Sequence, residues 1–242
     1  MSNVINLADA AAMSRVFTQP PEQLHPAQIN HAAFGDNAAL KRASECLGFA
    51  WEGLASIDTL RASPHPEDKP ATHARKVRQS VDMFDSAWAG RWDGAKAALK
   101  DEQRRIEGAL ERAANLKPVP HHFDAITSTF HNMNPGQRAQ ALDELVEQGD
   151  GPTLATLVEA PLFVTGLTAE QRDGIKLRLY RKVDPVGLAL RDQVAKALGK
   201  MEAASIACIH ARAKLREGTD RFDKLAKDAD EVATKARSGF AA

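Results

Sequence analysis

The stretch Gly149-Asp150-Gly151-Pro152-Thr153 has the residue types of a phosphate cradle, because glycines ahead of a helix leave backbone N–H groups open to an anion. A nucleotide loop also needs a buried strand before it and a Lys-Ser/Thr pair or a third spaced glycine. Here "LDELVEQ" precedes, which reads as a helix end, and no lysine follows. The surroundings are acidic and repel phosphate. The quintet therefore reads as punctuation between two helices. His121, His122 and His131 suggest metal chemistry by type. No cysteine or carboxylate completes a ligand spacing around them, so they read as surface or capping residues. Cys46 and Cys208 are far apart, each within an apolar helical pattern, and read as buried free thiols. No G-x-S-x-G elbow is present. The pairs Asp101-Glu102 and Asp230-Glu231 lie in charged helical stretches where solvation is their ordinary role. Nucleophile, base, cofactor and metal all lack a pattern, and the expectation is a non-enzyme.

Two features remain. Residues 168–182 carry Arg172, Lys176, Arg178, Arg181 and Lys182, the side chains that neutralise phosphates. They follow an acidic block in which Arg138 is the only Lys or Arg between Pro118 and Leu167. The blocks either pair with each other or form two solvated faces. Net charge is zero, 32 basic against 32 acidic residues, which argues against a bulk nucleic-acid coat. Residues 135–160 have the length of a helix-turn-helix, but "PTLATLVEA" offers only threonines and a glutamate to base edges. The basic segment is thus the nucleic-acid candidate. Leu162-Phe163-Val164 form a short apolar cluster, to be buried or to project as a docking knob.

The elements that must position these residues are helices. Alanine is abundant, aromatics are 5%, and valine and isoleucine never form strand-like runs. Residues 1–26, with Pro20, Pro21 and Pro26, read as an arm of limited order. Residues 27–117 read as a long helical hairpin. Its stripes are Leu40, Ala43, Leu47, Ala50, Trp51, Leu54, Ile57 and then Val77, Val81, Phe84, Trp88, Trp92, Ala95, Leu99, Ile106, Leu110, Ala113. The segment "SPHPEDKP" separates the two. Residues 118–185 read as a small helical subdomain with caps at Asn134 and Thr168. Residues 186–242 read as a long helix packing on the hairpin. Met201, Cys208, Leu215, Phe222, Ala229 and Ala236 recur every seven residues beside a poorer column of Leu198, Ser205, Arg212 and Thr219. Leu190, Val194, Leu225 and Val232, continued by the small residues Ala204, Ala211 and Gly218 that permit close helix approach, read as an off-column flank that either a neighbouring subunit covers or the short helices of 118–185 or the N-terminal arm fold back on. With Leu162 and Phe163 they are the interface candidates. The fold class is all-α: an elongated bundle of three long helices with an inserted helical subdomain.

No run of about 18 apolar residues is present to span a membrane. No basic region leads into an apolar block at the N-terminus, so no signal peptide is expected.

The stretch "NMNPGQRAQALDELVEQGDGPTLATLVEAPLFVTGLTAEQRDGI" resembles segments of uncharacterised proteins encoded in bacteriophages and prophages. The resemblance covers about 45 residues, carries no functional residue over, and implies a phage context. In that context long helical chains without catalytic motifs serve as virion, scaffold or assembly components. The expectation is a structural or assembly protein in host cytoplasm or virion, with self-association or other assembly proteins as partners. The alternative is a nucleic-acid-associated protein using residues 168–182 and basic sites on the long helices, such as Arg75, Lys76 and Arg78.

Overall fold

The structure, a computed structural model, describes residues 14–35, 37–219, 228, 231, 232, 234 and 235. Among them every regular element is helical and no strand occurs. The α-helices are α1 (Ala38–Ala62), α2 (Pro70–Ala113), α3 (Phe123–Asn132), α4 (Pro135–Gln148), α5 (Gly151–Glu159), α6 (Leu162–Thr165), α7 (Ala169–Val183) and α8 (Pro185–Arg216). The chain divides into two compact units, one of Met1–Leu99 with Ala197–Ala242, the other Lys100–Lys196. The second unit is wider than the 118–185 stretch marked out by punctuation.

In the first unit Asn37 caps α1, its Oδ1 accepting the N–H groups of Ala39 (3.1 Å) and Leu40 (3.2 Å). The buried face of α1 follows the expected stripe, Leu40 through Ile57 at alternating spacings of three and four, except that Trp51, beside that face, is only half-buried. Each fully buried leucine contributes about 1.5–3 kcal/mol relative to exposure. On α2, Val77, Val81, Phe84, Trp88, Ala95 and Leu99 are buried, whereas Trp92 is half-buried and Ala113, at the helix end, is exposed. Gly90, Gly94 and Gly108 weaken α2 by propensity but do not interrupt it. The Phe84 ring lies against Gly53 of α1, where an added Cβ would fall 2.7 Å from ring carbons. On α8, Arg212 and Arg216 reach back to Asp85 of α2 at 2.7 and 3.0 Å, and Arg216 also bonds Asp82. Lys96 pairs with Glu202. Rising numbers on α8 meet falling numbers on α2, so the two segments are antiparallel.

Two expectations for the last helix are corrected. Ala204 and Ala211, placed on a flank for a neighbouring subunit, are buried with Ala197 as a second column, while Leu198, Ser205 and Arg212 of the poorer column are half-buried and Thr219 is buried. Together with Val194, Met201, Cys208 and Leu215 these alanines make an unbroken three-four repeat. α8 also ends at Arg216, and Gly218 adopts a left-handed turn at φ 81°. Arg61, only 4% exposed, donates from one guanidinium nitrogen to the carbonyls of Leu215 and Glu217, each at 2.8 Å. A buried cation on a helix's last carbonyls satisfies orphan acceptors and complements the helix dipole. The seven-residue column beyond Leu215 lies outside the described residues.

The arm is likewise more ordered than its composition implies. From Ser14 onward it is described as three 3₁₀ turns, Glu22–Leu24, Pro26–Gln28 and Ala32–Phe34, where a helix from Ala27 was expected. Leu24 and Ile29 are buried. Asp58 accepts the backbone N–H groups of Val16 (2.7 Å) and Phe17 (3.3 Å), and Arg61 Nε donates to Ser14 O at 3.1 Å. Ser44 donates to Pro26 O at 3.0 Å. The prolines reduce the freedom lost on docking.

In the second unit the punctuation behaves as expected. Asn134 and Thr168 each form a reciprocal capping box, with Gln137 and Gln171 respectively. Gly149 closes α4 in a left-handed conformation at φ 73°, and the N–H of Asp150 reaches Leu145 O at 3.0 Å. Gly151 has a further reason to be glycine. A Cβ there would lie 1.7 Å from the carbonyl oxygen of Ala114, just past the end of α2. α5 is core: Leu154, Ala155, Thr156, Leu157 and Val158 are all buried.

Candidate interaction surface

The first four N–H groups of α5, the only cradle-like feature of the sequence, are all accounted for within the chain. Gly151 donates to Gly149 O (2.9 Å), Pro152 has none, Thr153 donates to Asp150 Oδ1 (3.1 Å) and Leu154 to Asp150 O (3.1 Å). No donor is left for a phosphate, and the helix behind them is buried, so it has no face to offer a DNA groove either. His121 and His122 are exposed in a 3₁₀ turn, and His131 Nδ1 lies 2.9 Å from Val164 O. Among the described residues no group of three or more His, Cys, Asp or Glu is placed to hold a metal. Cys46 and Cys208 are buried, and burial pushes their thiols up to about 11 and about 12.

Most of the basic segment is engaged at home. Arg178 pairs with Asp143 at 2.6 Å and Lys182 with Glu147 at 2.7 Å. Both links join α7 to the acidic face of α4, and the Lys182 hydrogen bond holds the Glu147 carboxyl below its usual range. Arg172 donates to Leu167 O (3.0 Å) and Ala160 O (2.7 Å), bracing the segment around α6. The acidic and basic blocks therefore meet within the chain. Lys176 is half-buried and Arg181 exposed, and among the described residues neither forms an ion pair.

The apolar surface is better developed. Leu162 is 57% and Phe163 82% exposed, at the start of the four-residue α6. Val164 is half-buried. The cluster thus projects as a knob. Its backbone is held on both sides: Val164 N–H donates to Pro161 O (2.9 Å), Gly166 N–H to Leu162 O (2.6 Å), and Gly166 is left-handed at φ 72°. Arg138 on α4 braces the neighbouring end of α3, donating to the carbonyls of Phe130, His131 and Met133.

On the same unit, α3, α4 and α5 enclose an open groove of about 650 Å³. Its walls are mainly apolar, including Ile126, Phe130, Met133, Leu145 and Leu157, with Thr129, Glu144 and Gln148 among its polar groups. This volume is in the range of ligand-sized clefts. Sequence reasoning missed it, because a groove is a gap between helices and no local pattern encodes a gap.

The long-helix candidates separate. Val194 is fully buried, which corrects its placement on an open flank. It lies seven residues before Met201 and so belongs to the core column. Leu190 is half-buried, Val232 is 67% exposed, and Leu225 lies outside the described residues. Ile206 and Ile209 of α8 and Met83 of α2 are exposed apolar side chains the sequence reading did not single out. Among the described residues no helix is long and apolar enough to cross a membrane. The chain matches no protein-family model, no curated protein and no solved structure.

Proposed function

We propose that this chain is a non-enzymatic structural or assembly protein, phage-encoded and working in host cytoplasm or virion through helix-borne apolar surfaces. The finer architecture that goes with this reading is three long helices bundled together, with the smaller helical unit set into them. The observation that carries it is the braced, exposed Leu162-Phe163 knob, since a large apolar side chain held out in water by a rigid backbone suits a protein interface. The resemblance of residues 132–175 to phage-encoded proteins supports the context. Within residues 168–182 the competing nucleic-acid reading rests on Lys176 and Arg181, because Arg172, Arg178 and Lys182 are bound within the unit; it also draws on the basic sites Arg75, Lys76 and Arg78 of α2, of which Lys76 pairs with Asp68. Solution mass with and without DNA separates the two. Assembly gives a concentration-dependent mass that DNA leaves unchanged. A DNA-dependent, salt-sensitive shift that Lys176→Ala with Arg181→Ala abolishes would replace the assembly reading.

A further inference from the structure

We infer that the α3–α4–α5 groove is the socket for the α6 knob of a second copy of this chain. The inference rests on the assembly reading and gives it a site and a partner.

Four observations carry it. The first is position. On α3 the groove is lined by Ala125, Ile126, Thr129 and Met133, whereas the cleft beside Phe163 is lined by Asp124, Thr127, Ser128 and His131. At 3.6 residues per turn those sets fall on opposite flanks of the helix. A knob braced on one flank cannot turn into a groove on the other, so the socket must take the knob of another molecule.

The second is preorganisation. With Pro161 before it, left-handed Gly166 after it and His131 against Val164 O, α6 loses little freedom on docking. The third is charge. The Arg138 guanidinium lies beside Gly166 and Arg172 binds Ala160 O, so two guanidinium groups flank the knob, with Asp124 in the cleft beside Phe163. The groove presents Glu144. Opposite signs thus meet when a knob enters.

The fourth is area. Phe163, 82% exposed, offers about 120–200 Å² and Leu162, 57% exposed, adds less. That falls below the roughly 800 Å² per partner of a standard stable interface. A single knob-in-socket contact is therefore weak and concentration-dependent. Because knob and socket are different surfaces, the contact is head-to-tail and propagates into a ring or an open chain.

Sedimentation equilibrium of the full chain, from low to high micromolar concentration, tests this. The wild-type mass rises with concentration past that of a dimer. Phe163→Ser removes the knob, and Thr129→Trp, at an exposed helical position, blocks the socket. Each weakens association by about thirtyfold or more, with helix content unchanged by circular dichroism. Ala125→Trp repeats the block should Thr129→Trp fold poorly. Mixing the knob-less and socket-blocked variants is the decisive arm: one intact knob and one intact socket remain, so a 1:1 complex forms and nothing larger. If the wild type associates but ignores all these substitutions, the socket assignment fails and the assembly reading survives on another surface. A wild-type monomer at the highest soluble concentration overturns both this inference and assembly by self-association.

Discussion

Gly151→Ala sets two physical effects against each other. Gly151 opens α5, and by helix propensity alone alanine should stabilise it by up to about 1 kcal/mol. The structure reverses that sign. The new methyl carbon would sit 1.7 Å from Ala114 O and 2.9 Å from Asn115 O, and both are backbone atoms. Real Cβ atoms essentially never come within 3.0 Å of such a neighbour, so α5 and the end of α2 must part by more than 1 Å. That movement disturbs the buried face of α5 and the hydrogen bond from Val119 N–H to Thr156 Oγ1 (3.0 Å). Overpacking of this kind costs about 3 kcal/mol or more once the backbone has to move. For a unit of this size, about 4–8 °C per kcal/mol gives a fall of roughly 12–24 °C in midpoint. The control is Gly174→Ala in α7 of the same unit, where an added Cβ meets nothing within 4 Å. It should gain about 0.8–1 kcal/mol. Thermal unfolding followed by circular dichroism, with amide exchange to localise the transition, measures both. If Gly151→Ala is as stable as Gly174→Ala, the close approach of α5 to the end of α2 is wrong.

Arg61→Met keeps the bulk but strips the donors from Leu215 O, Glu217 O and Ser14 O and leaves buried Asp58 without its cation; it should cost about 3 kcal/mol in urea unfolding and speed tryptic cleavage after Arg15. Burial raises both thiols in the folded state, so the unfolded chain ionises first as pH rises. Their contribution is intact below about pH 9 and is lost as pH climbs through about 11 and 12. With both titrating only in the unfolded state, stability falls by up to about 2.7 kcal/mol per pH unit. A variant with Cys46→Ala and Cys208→Ala should lose that component of the slope in unfolding curves taken across this range.

Helix content, most of the α1 and α2 stripes, the Thr168 capping box, the Asn134 cap and the role of Gly149 were legible because each depends on residues within about one turn of each other. The alanine column of α8 was legible only in part. Ala204 and Ala211 stood out as small residues that let another helix come close, but no local pattern says that the cover comes from within the chain, and Ala197 went unmarked. Asp58 and Arg61 drew no notice in the sequence because their partners lie far along the chain, at Val16, Phe17, Leu215 and Glu217. The same distance hid the docking of the arm. The basic segment was correctly located. Its neutralisation was only half visible, because the pairing of Arg178 and Lys182 with Asp143 and Glu147 depends on how α4 and α7 lie together. Leu162 and Phe163 were found as a cluster, but no local rule decides whether a cluster is covered.

The division of the chain also orders its synthesis. The second unit is one continuous stretch, Lys100–Lys196, whereas the first draws on residues before Leu99 and after Ala197. Arg61 waits for carbonyls 154 and 156 residues downstream. The second unit is complete at Lys196, 19 and 21 residues before those carbonyls, a lead of about 1–4 s at ribosomal speeds of about 5–20 residues per second, long compared with the folding of a small helical unit. The later stretch therefore matures first, on the ribosome. Meanwhile the stripes of α1 and α2 stand without α8, and the arm lacks the guanidinium bond that fixes Ser14 only once Arg61 is seated. During that window the nascent chain presents its largest uncovered apolar surface, and a chaperone would find its target on residues 38–99 rather than on the unit that carries the knob.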